Sequence, residues 1–188
     1  NIQSFEASTE SLDLELVMKL NPQTLTTLKL TLNKNEDLKF LEKFVKLKEL
    51  ELTNVEYSMF FSPPVYEFDF YNLWNLKKLK INNSTIFFIF LPINLKILHF
   101  DDVEFSTANF FSVSNTIEEL SLENCKPMNE EVLKYVTKTC MHLKVLKVFG
   151  GTLKDEIIED LIMKYKNLKQ IQHFGGSKKI WPKYDYER

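Results

Sequence analysis

Apolar residues recur along this chain in one short pattern, L-x-x-L-x-L, with polar residues filling the gaps. The cleanest copy is Leu143-Lys-Val-Leu146-Lys-Val148. The same shape occurs as Leu25-Thr-Thr-Leu28-Lys-Leu30, Leu47-Lys-Glu-Leu50-Glu-Leu52 and Leu76-Lys-Lys-Leu79-Lys-Ile81. It continues as Leu95-Lys-Ile-Leu98-His-Phe100 and Ile117-Glu-Glu-Leu120-Ser-Leu122. Ile2-Gln-Ser-Phe5-Glu-Ala7 fits weakly, and Leu168-Lys-Gln-Ile171-Gln-His173 is a degraded late copy. The copies start at 2, 25, 47, 76, 95, 117, 143 and 168, in steps of 23, 22, 29, 19, 22, 26 and 25 residues. Self-similarity at such a period marks stacked repeat architectures.

The spacing predicts local structure. In each copy the second and third apolar residues lie two apart, so they share one face of a short strand. Neighbouring copies then stack as parallel strands, and no copy can bury its apolar face alone. Four connecting segments read as helices. Residues 129–136 have an Asn N-cap, acids in the first turn and apolar 3–4 spacing, and 155–162 repeat the device at the same offset from the strand. Residues 36–46, with Leu38, Leu41 and Val45, and residues 12–20 are the other two. The shortest repeat leaves only 85–93, with Pro92 inside it, which predicts an extended or 3₁₀ return. Helices are wider than strands, so the stack is expected to curve with its strands inside.

The chain resembles the leucine-rich-repeat family over nearly its whole length. Residues 120–146 carry the most specific signal: Leu120-Ser-Leu122-Glu-Asn-Cys125, the Asn129 helix, then Cys140-Met-His-Leu143. This is similar to the cysteine-containing repeat of F-box/leucine-rich-repeat proteins. The resemblance implies an α/β fold, a curved, ribonuclease-inhibitor-like solenoid or horseshoe. Short parallel strands would line the concave face, with helices and irregular returns on the convex face. Residues 1–176 would form this domain, and 177–188 a tail able to cap it. The implied function is protein–protein interaction without catalysis, as the substrate-recognition region of a ubiquitin-ligase adaptor of the SCF type. An F-box would then lie upstream and dock on cullin–RING ligase components.

Composition narrows the alternatives. The 188 residues are 44% hydrophobic and 27% charged, with a net charge of −2. A near-neutral balance argues against nucleic acid as the main partner. No apolar run approaches a membrane span. The four glycines fall in two pairs, Gly150-Gly151 and Gly175-Gly176, each directly after a strand, which excludes phosphate-binding glycine loops. Two cysteines and three scattered histidines offer no metal spacing, and no catalytic motif or cofactor site stands out. Cys125 and Cys140 read as reduced core thiols, which suits a cytoplasmic or nuclear protein. The alternative is a secreted or extracellular recognition or effector protein, for which Asn82-Asn83-Ser84-Thr85 supplies two overlapping glycosylation sequons.

The candidate binding residues are the x positions of the strands. The centre column reads Lys29, Glu51, Lys80, His99, Ser121, Lys147, Gln172, with Asp101, Phe149 and Phe174 in the next column. These residues form either a polar surface for a protein partner or a solvated ladder of opposite charges. Phe149 and Phe174 are either hot-spot anchors or covered by the tail. The aromatic segment 57–74 is either a binding loop or an irregular convex return that buries its rings.

Overall fold

The computed structural model describes residues 2–7, 17, 19–32, 38–54, 65–150, 155–164, 167–175 and 177–182. It is α/β, with one open sheet of mostly parallel strands and few helices. The strands are β1 (Ser4–Ala7), β2 (Thr27–Leu32), β3 (Glu49–Asn54), β4 (Val65–Asp69), β5 (Lys78–Phe90), β6 (Ile97–Phe105), β7 (Glu119–Glu123), β8 (Val145–Phe149), β9 (Gln170–Gly175) and β10 (Ser177–Pro182). Two α-helices, α1 (Glu130–Thr139) and α2 (Asp155–Lys164), flank β8 in the chain.

Along the sheet the order is β1-β2-β3-β5-β6-β7-β8-β9-β10, with β4 beside the second half of β5. From β1 to β9 every neighbouring pair on this path is parallel. The register aligns the sequence copies residue for residue. Leu28, Leu50, Leu79, Leu98, Leu120, Leu146 and Ile171 form one column across seven strands. The next buried column is Leu30, Leu52, Ile81, Phe100, Leu122 and Val148. Both columns are buried, as are Leu25, Leu47, Leu76, Leu95, Ile117, Leu143 and Leu168 at the head of each copy. A side chain of this size is worth about 1.5–3 kcal/mol when fully buried, and the neighbouring strands provide that burial together with return residues such as Phe110, Val132 and Ile158.

The strand starts are tied by side chains as well as backbone. The Asn75 amide donates to the Val45 carbonyl at 2.6 Å, Asn94 to Trp74 at 2.9 Å and Asn167 to Met141 at 2.9 Å. Each asparagine directly precedes the first leucine of its copy, so the turn before each of these strands is stapled to the turn of the preceding copy.

The chain turns a corner inside β5 and β6 and just beyond β7 and β8. Asn83, Asp102, Asn124 and Gly150 all have positive φ, between 49° and 85°. Each stands four residues after the second leucine of its copy. This is the left-handed region, which Gly, Asn and Asp tolerate best. Beyond the corner the chain turns inward again, burying Ser84, Val103 and Cys125.

The helix at 129–136 forms as the sequence predicts. Asn129 Oδ1 accepts from the Val132 amide at 3.1 Å, and Val132, Leu133 and Val136 are buried. Helix α2 buries Ile158 and Leu161. The return at 85–93 is extended, since β5 runs on to Phe90.

Two expectations change. Residues 36–46 contain a 3₁₀ helix, Leu38–Lys43, in place of an α-helix. The reason is period: Leu41, Phe44 and Leu47 are buried at intervals of three, matching three residues per turn. The Phe44 amide reaches Leu41 and the Leu47 amide reaches Phe44, both at 2.9 Å. The described part of 57–74 is ordered differently from an irregular return. It contains β4, in parallel with β5, and it buries Phe68 and Phe70 while Tyr71 and Trp74 remain exposed. Tyr57, Phe60 and Phe61 lie outside the described residues. Of the tail, residues 183–188 lie outside the described residues. Residues 177–182 add to the sheet edge as β10, antiparallel to β9. Of the helix expected at 12–20, only Val17, Lys19 and Leu20 are described, with Val17 buried.

The corner geometry makes a direct prediction. Asp102 is exposed with φ 52°. Asp102→Gly should keep or slightly raise stability in chemical denaturation, whereas Asp102→Val should lower it by about 1–2 kcal/mol. Equal stabilities would mean the corner carries no left-handed strain.

Candidate functional site

Side chains at the x positions stand on the strand face opposite the buried columns, because successive residues of a strand point to opposite faces. The register brings the predicted centre column together. Lys29 pairs with Glu51, Glu51 with Lys80, Lys80 with His99, His99 with Ser121, Ser121 with Lys147 and Lys147 with Gln172. Asp101, Phe149 and Phe174 fall in the adjoining column, with Asn82 beside Asp101, Glu123 between Asp101 and Phe149, and Phe149 opposite Phe174. Phe149 is half-buried. The side chains of Phe174 and of His173 lie outside the described residues.

One residue of the column is missed by the L-x-x-L-x-L reading. Glu6 in β1 pairs with Lys29. Its copy is the weakest in sequence, because Phe5 and Ala7 stand where leucines are expected. The signal is positional: Glu6 is the centre x residue of that copy.

Charges along this face are held in pairs. Lys29 Nζ lies 3.4 Å from Glu6 and 3.8 Å from Glu51, and Lys80 Nζ lies 3.3 Å from Glu51. The Asn82 amide donates to Glu51 at 3.2 Å and to Thr53 at 2.9 Å. Further along, the pairs run diagonally: Lys147 Nζ to Glu119 at 2.5 Å and His99 Nε2 to Glu123 at 3.0 Å. Asp101 accepts from the Asn124 amide at 3.3 Å. Burial alone would raise the Glu51 carboxyl, but Asn82, Lys80 and Lys29 outweigh it and hold it below its ordinary range.

His99, Ser121 and Glu123 meet at the centre. The Ser121 hydroxyl donates to Glu123 Oε1 at 3.0 Å. Nucleophile activation needs that hydroxyl to donate to the imidazole, a bond this arrangement lacks. His99 Nε2 is buried near Glu123 yet outside hydrogen-bonding alignment, so the contact gains strength only when the ring is charged. Burial lowers the His99 pKa most, opposed by Glu123 and Asp101 and reinforced by Lys80 and Lys147, and the net shift is downward.

The two thiols lie in the core. Cys125 and Cys140 are buried and unpaired with each other, and burial pushes each thiol up to about 12. At neutral pH they are protonated and weakly nucleophilic. Among the described residues no group of His, Cys, Asp and Glu has the arrangement to hold a metal ion. None of the described helices is long and apolar enough to cross a membrane. Asn82 is buried and its amide is bonded, so a glycan there would have to break two hydrogen bonds.

Comparison with protein-family models, with curated proteins and with solved structures finds no match to this chain.

The central histidine gives a pH prediction. Its lowered folded-state pKa means the unfolded chain binds a proton first. The stability this contributes is complete above about pH 6.5 and is lost as pH falls through the folded value. Urea denaturation from about pH 7 to about pH 5.5 should show a decline that His99→Gln makes shallower. An unchanged slope would exclude His99 as its source.

Proposed function

We propose that this chain is a non-enzymatic protein-binding module built as a curved leucine-rich-repeat solenoid, with its partner on the polar strand face. One observation carries the reading. Strands β1 to β9 on the path set one side chain each into a single register column, from Glu6 through Lys29, Glu51, Lys80, His99, Ser121 and Lys147 to Gln172. The column alternates in charge from Glu6 to Lys80 and is polar beyond it, a pattern that favours specificity and encounter rate over raw affinity. Half-buried Phe149 and its neighbour Val145 add apolar area at one end. Aromatic and apolar anchors beside a polar surface are the usual source of binding energy.

The spacing of Cys125, the Asn129 helix and Cys140 supports assignment to the substrate-recognition part of an F-box/leucine-rich-repeat ubiquitin-ligase adaptor, working in the cytoplasm or nucleus. Both cysteines are core residues, which fits a packing role in that repeat. On this reading Lys29, Glu51, Lys80, His99, Asp101, Lys147, Phe149, Gln172 and Phe174 contact the partner. The use of the Asn82 amide within the fold weighs against the secreted alternative at that sequon.

Quantitative affinity purification tests this. Lys80→Glu and Lys147→Glu should each remove the same set of partners while leaving the fold intact by circular dichroism. Lys138→Gln on the exposed side of α1 should retain them. Loss of partners with Lys138→Gln but not with the strand-face variants would move the interface elsewhere.

A further inference from the structure

A second surface lies at the edge of the sheet where the strands begin, distinct from the strand face. Five copies place a lysine directly after their first leucine: Lys48, Lys77, Lys96, Lys144 and Lys169. The parallel register sets Glu49, Lys78 and Ile97 side by side, so Lys48, Lys77 and Lys96 follow one another on adjacent strands. Backbone bonds confirm the alignment, with the Lys77 amide on the Lys48 carbonyl at 2.8 Å and the Lys96 amide on Lys77 at 2.9 Å. Neighbouring strands lie about 4.8 Å apart, so the backbones of the three lysines fall within about 10 Å of one another.

These charges are not spent inside the fold to equal degrees. Glu118 bridges Lys96 and Lys144, at 2.8 and 2.5 Å, and this neutralises the middle of the row. Lys46, Lys48, Lys77 and Lys78 are exposed, and no described carboxylate lies within ion-pairing distance of them. Lys46 and Lys48 also line a depression of about 470 Å³ together with Gln3, Gln23, Thr24 and Asn75.

An apolar row runs beside the lysines. The stapled turns bring Val45, Trp74 and Ile93 into sequence along the edge, through Asn75 to the Val45 carbonyl and Asn94 to the Trp74 carbonyl. All three side chains face solvent: Val45 is 39% exposed, Trp74 55% and Ile93 50%. Tyr71, also exposed, packs against Trp74 with ring centroids 6.5 Å apart. Val45, Trp74 and Ile93 thus occupy equivalent turn positions on adjacent copies, near lysines that have no described carboxylate partner.

We infer that this edge, formed by Lys46, Lys48, Lys77, Val45, Trp74 and Ile93, docks an extended acidic peptide segment of a partner protein that carries apolar residues among its carboxylates. Charge complementarity selects the sign. In an extended segment, side chains on one face recur about every 7 Å, so two carboxylates fit within the lysine row. The amides and hydroxyls of the depression suit a peptide backbone, and Trp74 suits an apolar anchor. Nucleic acid fits less well. Its affinity grows with the number of phosphates neutralised, and here Glu118 cuts the row short. An anionic membrane favours a protruding apolar ridge, whereas Lys46 and Lys48 line a hollow.

The test is phage display of random peptides panned on the full chain and on a Lys48→Glu/Lys77→Glu variant, followed by fluorescence anisotropy on the enriched peptides. Enrichment of peptides with net negative charge and spaced apolar residues is expected. Their affinity should fall at least about tenfold in the double variant and in Trp74→Ala, and fall with added salt. Lys29→Glu, on the strand face, should leave it unchanged, which separates this surface from the proposed concave site. Circular dichroism checks that each variant folds. Enrichment without negative charge, or equal affinity for the double variant, would overturn the inference. So would binding of an oligothymidylate or of phosphatidylserine vesicles through the same lysines with no acidic peptide enriched.

Discussion

Everything in this protein depends on the mutual burial of leucine columns between parallel neighbours. Leu28, Leu50, Leu79, Leu98, Leu120 and Leu146 are each at most 2% exposed, in one core that they share with the strands beside them and with the return segments. A strand cannot slip by one residue without turning its leucines to solvent and its lysines and glutamates inward. The same constraint therefore sets register, orders the polar face and aligns the strand starts. Removing one leucine from the middle of a column would cost about 2–5 kcal/mol, a large share of a typical domain's stability. The corners at Asn83, Asp102, Asn124 and Gly150 and the asparagine staples at 75, 94 and 167 serve this one arrangement: they fix where the backbone bends after the paired leucines and where the next turn sits.

The two candidate surfaces are consequences of that register and differ in electrostatics. On the strand face, opposite charges meet across strands, so the field is largely cancelled and each exposed pair is worth only about 0–1 kcal/mol. At the strand starts the lysines recur with the same sign on adjacent strands, and only Glu118 interrupts them. The strand face is therefore patterned and nearly neutral, while the strand-start edge is short and cationic with Val45, Trp74 and Ile93 exposed. The overall net charge of −2 conceals both.

Much of this was legible in the sequence. The L-x-x-L-x-L copies foretold the strands β2, β3 and β5–β9, the centre column and the buried heads, because a period-2 pattern leaves little freedom once neighbours must share a core. Helix α1 was legible because Asn129, Glu130 and Glu131 form a strong start signal. The 3₁₀ segment was harder: Leu38 and Leu41 suit either helix, and only the continuation to Phe44 and Leu47 reveals a period of three. Strand β4 was hidden in an aromatic cluster that composition alone reads as irregular. The ion pairs followed geometry that sequence does not encode, since His99 and Lys147 reach diagonally to Glu123 and Glu119 past their direct neighbour Ser121. The lysine edge was written plainly, as Leu-Lys in five copies, but its meaning needed the strand starts to be placed side by side.

Amide hydrogen exchange, read residue by residue, tests the central claim most directly. If mutual burial of register-matched columns holds the fold together, the slowest exchange will fall on β5, β6, β7 and β8, which have a strand on both sides. Protection will then decline towards β1 and β10 at the two edges. Slowest exchange in α1 and α2, with the central strands opening first, would contradict the account.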